Sequence, residues 1–221
     1  MSIRYILIAS ASASIIFMGA YFVAVNFINR KVEKRSVDIR NTFIYEVNPP
    51  FRSKFGSLNV LLFASLVCTL VGVILFASKY LETMPIVLAV ISTVLMFCLG
   101  SLPFVNIKYL KEHLYLDLGA IILYALACAF ELYLSASIAK IYDFSRVGLI
   151  IAIVVSAILF LVSLFFIFNP SLFNLRNQAN ENGEYERAKF IPLVFSEWVI
   201  LFSSSLLLIP LLIITLELTK I

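Results

Sequence analysis

The sequence predicts an all-α, multi-pass membrane protein in which six transmembrane helices form one bundle. Hydrophobic residues make up 62% of the 221-residue chain and charged residues 14%, and the mean hydropathy is +1.03. A soluble domain has about 45–50% apolar and about 25% charged residues. Six apolar runs of about 20 residues, the length that crosses a bilayer as a helix, alternate with polar segments. We therefore predict a single domain, residues 1–221, with spans at 3–28, 58–78, 84–105, 117–139, 147–168 and 190–216.

The first span begins close to the N-terminus and resembles a secretory leader. Only about four strongly apolar residues precede its Ala and Ser steps, whereas a leader needs roughly 7–15. The apolar run then continues to Ile28, so we predict an uncleaved helix. Its small residues, Ala9 to Ser14, are typical of a surface on which another helix packs closely.

A basic polar loop follows the first span and carries seven of the 17 Lys and Arg residues. Four of them directly follow the helix: Arg30, Lys31, Lys34 and Arg35. A loop that only sets membrane orientation explains this cluster best. The alternative is a binding site for anionic lipid headgroups or an acidic partner.

Two pairs of spans are joined by short segments, residues 79–83 and 140–146, and each pair is predicted to form an antiparallel hairpin. The fifth span has no ionisable residue, so we expect it to face lipid most. In the sixth span, Pro210 lacks a backbone N–H and is expected to bend the helix.

The fourth span carries a polar stripe. At about 100° per residue its members fall within roughly 40° of one line: His113, Asp117, Tyr124, Glu131 and Ser135. A charged carboxylate deep in a bilayer costs at least about 2.5 kcal/mol, so the stripe should face the protein interior. Glu197 and Ser204, on one face of the sixth span, extend this predicted track. We expect spans one, four and six to enclose these groups.

The stripe has two interpretations, a pathway for ions, protons or a headgroup, or a packing seam. The packing seam is favoured, because an ionisable residue inside the membrane is by itself only a starting hypothesis of function.

Neither a metal site nor a cofactor is predicted. The three cysteines lie within apolar runs without metal-ligand spacing, and His113 is the only histidine. His113 and Asp117, four residues apart, suit a local pair. Phosphate-binding glycine motifs and nucleophile motifs do not occur. The net charge of +4 does not indicate nucleic-acid binding, because in a membrane protein the informative feature is where the Lys and Arg residues lie.

The favoured function is a binding or structural membrane subunit that associates with lipid, a partner protein or another copy of the chain. One alternative is a transporter of a small solute, ion or proton along the polar face of span four with Glu197. The other is an intramembrane lipid-acting enzyme built on Asp117 and Glu197, which should lie near the same end of the bundle. No catalytic residue is assigned, and a non-enzymatic role is favoured.

The loops at one end hold twelve of the 17 basic residues, and the loops and termini at the other end together hold five. The positive-inside rule then predicts that the basic loops are cytoplasmic and that both termini lie outside. The membrane is expected to be the plasma membrane.

Overall fold

The protein is all-helical in its long elements, and the predicted fold class is confirmed. Six helices of the described part of the chain are long and apolar enough to cross a membrane. A computed structural model describes residues 3–32, 34, 36–47, 58–80, 82–105, 110–142, 144–172, 178–179, 185–186 and 189–219.

The helices follow the predicted spans. In chain order they are α1 Ile3–Val32, α2 Ile44–Val47, α3 Asn59–Tyr80, α4 Thr83–Ser101, α5 Leu110–Ile141, α6 Val147–Ile167, α7 Pro192–Ser204 and α8 Leu208–Leu218. A 3₁₀ turn, Leu102–Phe104, extends α4. Two short strands, β1 Gln178–Ala179 and β2 Tyr185–Glu186, pair antiparallel between α6 and α7. Spans one to six are therefore α1, α3, α4, α5, α6 and the pair α7 and α8.

The sixth span is interrupted just before its proline. The chain leaves the α-helix after Ser204 and resumes it at Leu208. The amides of residues 205–207 bond to carbonyls three residues back rather than four. Pro210 cannot donate to the carbonyl of Leu206, and its ring crowds that carbonyl, so the preceding turn tightens. The bend expected from Pro210 is thus a short 3₁₀-like break.

The spans are arranged as a ring in chain order. Each long helix packs on the next, and α8 closes the ring against α1 while also contacting α3, α5 and α6. The sixth span is the most enclosed, with 61% of its most apolar window buried, and α6 is the least enclosed, with 28%. The fifth span is therefore the most exposed of the six, which is in line with the expectation that it faces lipid, and the sixth is the most enclosed.

Small and polar residues bring two pairs of helices close together. Ser14 on α1 lies 3.1 Å from the Ser65 hydroxyl and 2.6 Å from the Thr69 hydroxyl on α3. On the other side of α3, a β-carbon added to Gly72 would lie 2.6 Å from the Leu208 side chain on α8. Both contacts depend on a small side chain, because larger ones would hold the backbones apart.

Candidate functional site

His113, Asp117 and Glu197 meet inside one end of the bundle. This end, where α1 ends and α5 and α7 begin, is called the loop end. His113 Nε2 lies 2.9 Å from Glu197 Oε1 and 3.4 Å from Asp117 Oδ2. The three residues are at most 3% exposed. We call them the polar cluster, and it joins the fourth span to the sixth.

The imidazole of His113 has a defined orientation. Its Nδ1 lies 3.0 Å from the carbonyl oxygen of Val105, just after the 3₁₀ turn. A carbonyl oxygen only accepts hydrogen bonds, so Nδ1 carries a proton and donates it. The other ring nitrogen, Nε2, therefore faces the two carboxylates either as a second donor or with a free lone pair.

Part of the first loop lies over the polar cluster. The short helix α2 begins here, and the backbone N–H of Ile44 donates to Glu197 Oε2 at 3.3 Å. The ring of Phe43 packs edge-on against the His113 ring, with centroids 5.3 Å apart. Phe43 and Ile44 are both buried. We call residues 38–47 the cap, because they separate the cluster from the loop-end surface.

The cap is fixed to the start of the sixth span. Trp198 Nε1 donates to the carbonyl of Thr42 at 2.8 Å, and the N–H of Ile191 donates to the carbonyl of Arg40 at 2.8 Å. At the exposed edge of the cap, Arg40 forms an ion pair with Asp38. Hydrogen bonds from Arg40 hold the pKa of the Asp38 carboxyl below its usual value.

The last turns of α1 hold the other side of the cap. Asn29 Nδ2 donates to the carbonyl of Val47 at 3.3 Å. Asn26 Oδ1 accepts from the N–H of Val37, next to the cap, at 3.2 Å. Side-chain amides near the end of α1 thus bond to backbone groups of the loop that no regular secondary structure pairs.

A cavity of about 10 Å³ adjoins the carboxylates of the polar cluster. Asp117, Glu197 and Ser196 adjoin the cavity, but its exposed lining is apolar and includes residues such as Leu99 and Ile121. That volume is about what one water molecule requires. The cavity therefore has no room for a species larger than a single ion or water.

The rest of the predicted track is buried but lies apart from the polar cluster. Glu131 is on the same helix as Asp117, about 21 Å away along the axis at about 1.5 Å per residue. Tyr124, Glu131 and Ser135 are all fully buried. Neither carboxylate oxygen of Glu131 has a hydrogen-bond partner among the described residues.

The two serines of the predicted track make local contacts. Ser135 lies 3.4 Å from the Ser156 hydroxyl of α6. Ser204 donates to the carbonyl of Leu201 in its own helix. The Ser135 contact joins α5 to α6, and polar contacts between helices support their packing in a bilayer.

The basic residues after span one are exposed where the structure describes them. Arg30 and Lys31 occupy the last turn of α1, and Lys34 has a left-handed backbone with φ of 54°. Arg35 lies outside the described residues. Cations in the last turn also offset the negative end of the helix dipole.

The enclosure of the polar cluster differs from the one expected. Spans four and six contribute it, as predicted, but its cover is the cap and its side wall includes Val105 after the 3₁₀ turn. Span one supports the cap, and its Ser14 hydroxyl contacts α3 rather than the cluster. The Phe43-Ile44 pair within a polar, basic loop was the sequence signal for this cover.

Comparison of the chain with protein-family models, with curated proteins and with solved structures gives no match.

Proposed function

We propose that the protein is a non-catalytic membrane binding protein that holds anionic lipid headgroups at its loop end. The observation that carries this proposal is the folded cap. Its hydrogen bonds to both α1 and α7 fix the loop end, and Arg30, Lys31 and Lys34 stand exposed beside it. Basic residues at a membrane surface each contribute about 1 kcal/mol to binding anionic lipid.

The polar cluster supports binding rather than turnover. General acid–base chemistry requires a substrate bond within hydrogen-bond reach of the titratable groups. The cavity beside Asp117 and Glu197 measures about 10 Å³, far below the size of a lipid headgroup. Phe43 packs directly on His113. In this arrangement a lipid reaches the exposed basic residues but not the cluster.

Under this proposal the loop end faces the cytoplasm, both termini lie outside and the membrane is the plasma membrane. The excess of basic residues at the loop end supports that orientation. Labelling of intact cells with a membrane-impermeant thiol reagent tests it. Lys140→Cys, at the opposite end, should react, and Lys31→Cys should react only after permeabilisation. The reverse pattern would refute the orientation.

The lipid proposal is tested by native mass spectrometry of protein released from bilayers of mixed anionic and zwitterionic lipid. The Arg30→Gln/Lys31→Gln variant should retain anionic lipid with roughly 30-fold lower affinity, since two contacts of about 1 kcal/mol are lost. Lys79→Gln/Lys140→Gln, which changes exposed residues at the other end, is the matched control. Equal retention by both variants would contradict the proposal, and a stoichiometric bound protein would support a subunit role instead.

A second candidate function is proton or cation transfer along the fourth span, and Glu131 favours it. A buried carboxylate without a hydrogen-bond partner must be neutral or accompanied by a cation. Glu131→Gln should abolish a pH-driven flux in proteoliposomes. Glu112→Gln, exposed on the same helix, should leave it intact. Equal flux in both variants, or none in the wild type, would exclude this role.

A further inference from the structure

We propose that His113, Asp117 and Glu197 bind one divalent transition-metal ion, with Zn²⁺ as the ion to test first. The site lies beneath the cap, apart from the exposed basic residues. It goes beyond lipid binding and does not depend on it.

The ligand atoms have the spacing that a metal ion requires. One atom from each of the three residues lies within 4.8 Å of the others. The Nε2 atom of His113 is 2.9 Å from Glu197 Oε1 and 3.4 Å from Asp117 Oδ2. Two ligands about 2.0–2.2 Å from one ion are about 2.9 Å apart at a right angle and about 3.4 Å apart at a tetrahedral angle. Both distances therefore suit neighbouring ligands of one ion.

The surroundings orient two of the ligands. Because Nδ1 of His113 donates to the carbonyl of Val105, the neutral ring directs the lone pair of Nε2 at the carboxylates. Oε2 of Glu197 accepts from the N–H of Ile44, which leaves Oε1 for the cluster. Ligand groups in metal sites are commonly held by such outer hydrogen bonds.

Asp117 provides a second indication, because its carboxylate shares the single His113 ring nitrogen with the carboxylate of Glu197. Its side chain is nearly fully buried, and neither oxygen makes a hydrogen bond within the part of the chain that the structure describes. It lies against the same small cavity as Glu197. A buried carboxylate oriented in this way into a site shared with a second carboxylate and an imidazole needs positive charge nearby.

One divalent ion would balance the negative charge of the cluster. Two carboxylates carry two negative charges, and a neutral imidazole adds none. Even a protonated His113 would leave one net negative charge in a buried site, which is costly. One divalent cation makes the cluster neutral. The alternative way to neutralise the cluster is two protons shared among the three groups. The experiment must distinguish these protons from a bound metal ion.

The ligand types define the class of ion. One imidazole nitrogen and two carboxylate oxygens suit Zn²⁺, Mn²⁺ or Fe²⁺, whereas Ca²⁺ and Mg²⁺ prefer all-oxygen sites and Cu⁺ prefers sulfur. Three protein ligands leave at least one coordination position open. The adjoining cavity, about 10 Å³, has about the volume of one water molecule.

The test measures metal directly in the full chain, purified in mild detergent. After stripping and dialysis against Zn²⁺ alone, the wild type should retain about one ion per chain by elemental analysis. Co²⁺ in its place should give visible ligand-field absorption. Asp117→Asn and His113→Gln should each weaken Zn²⁺ binding roughly 100-fold or more, on the scale known for disturbed metal sites. Glu131→Gln removes another buried carboxylate of the same helix and should keep the ion.

Three outcomes would overturn the proposal. The first is a folded wild type that binds neither Zn²⁺ nor Co²⁺, which would favour the two-proton solution. The second is binding that survives in Asp117→Asn, and the third is equal loss in Glu131→Gln. If His113→Gln does not fold, the Co²⁺ spectrum of the wild type still decides. Lipid retention by the Arg30→Gln/Lys31→Gln variant is measured separately, so failure of either proposal leaves the other standing.

Discussion

Two buried carboxylates, Glu131 and Glu197, should respond in opposite directions to the same substitution. Glu131 is fully buried and has no hydrogen-bond partner among the described residues. Glu197 is also buried, but it contacts the His113 ring and accepts from the N–H of Ile44. Replacing each by Met keeps a similar length and removes the carboxylate. Glu131→Met should therefore stabilise the protein, and Glu197→Met should destabilise it.

The expected magnitudes follow from these contacts. A buried polar group without a partner costs about 1–3 kcal/mol, and Glu131→Met removes that cost. Breaking a buried, paired contact costs about 3–5 kcal/mol, because the partner is left uncompensated. At about 2–4 °C per kcal/mol for a chain of this length, Glu131→Met should raise the Tm by roughly 2–12 °C. Glu197→Met should lower it by roughly 6–20 °C.

The assay is thermal unfolding in mild detergent, followed by the fluorescence of Trp198, the only tryptophan of the chain. Trp198 is fully buried between aromatic rings, so its emission reports loss of packing. Glu112→Met, on an exposed position of α5, controls for the added apolar side chain. A lower Tm in Glu131→Met than in this control would refute the reasoning, since Glu131 would then make a favourable interaction.

Three further changes test the packing of the bundle and the cap. Ser14→Ala removes hydroxyl contacts between α1 and α3, and should cost about 0.6–1.7 kcal/mol in reversible detergent unfolding, whereas exposed Ser12→Ala should cost nothing. Gly72→Ala places a β-carbon against the Leu208 side chain; it should cost about 1 kcal/mol in the same assay, and an unchanged stability would show that the two helices have room to separate. Trp198→Phe removes the hydrogen bond to the cap backbone; limited trypsin digestion should then cleave the cap faster, and an unchanged rate would show that this bond does not hold the cap.

The sequence was sufficient for the membrane architecture because each span is specified locally. An apolar run of about 20 residues must form a helix in a bilayer to satisfy its backbone hydrogen bonds. The segments 79–83 and 140–146 are short, so the two helices that each of them joins must pack side by side and antiparallel. Even the break in the sixth span was signalled by Pro210, although its position at residues 205–207 was not.

The candidate site was only partly predictable because it depends on contacts between distant segments. The four-residue spacing of His113 and Asp117 indicated a local pair, and the structure has it. The sequence also placed Glu197 near Asp117 at one end of the bundle, but the contact of His113 with both carboxylates depends on packing between spans four and six. The cap was missed because Phe43 and Ile44 form too short an apolar pair to predict burial within a basic loop.

The contacts of Glu197 make the polar cluster and the cap one structural unit. One carboxylate oxygen lies against His113 and the other accepts from the Ile44 backbone. The two oxygens are parts of one rigid group, so a rotation that changes one contact also changes the other. We therefore expect charge in the cluster to alter how firmly the cap is held, and displacement of the cap to alter the contacts of the cluster. By thermodynamic reciprocity, any ligand of the loop end that prefers the docked cap must favour the same state of the cluster.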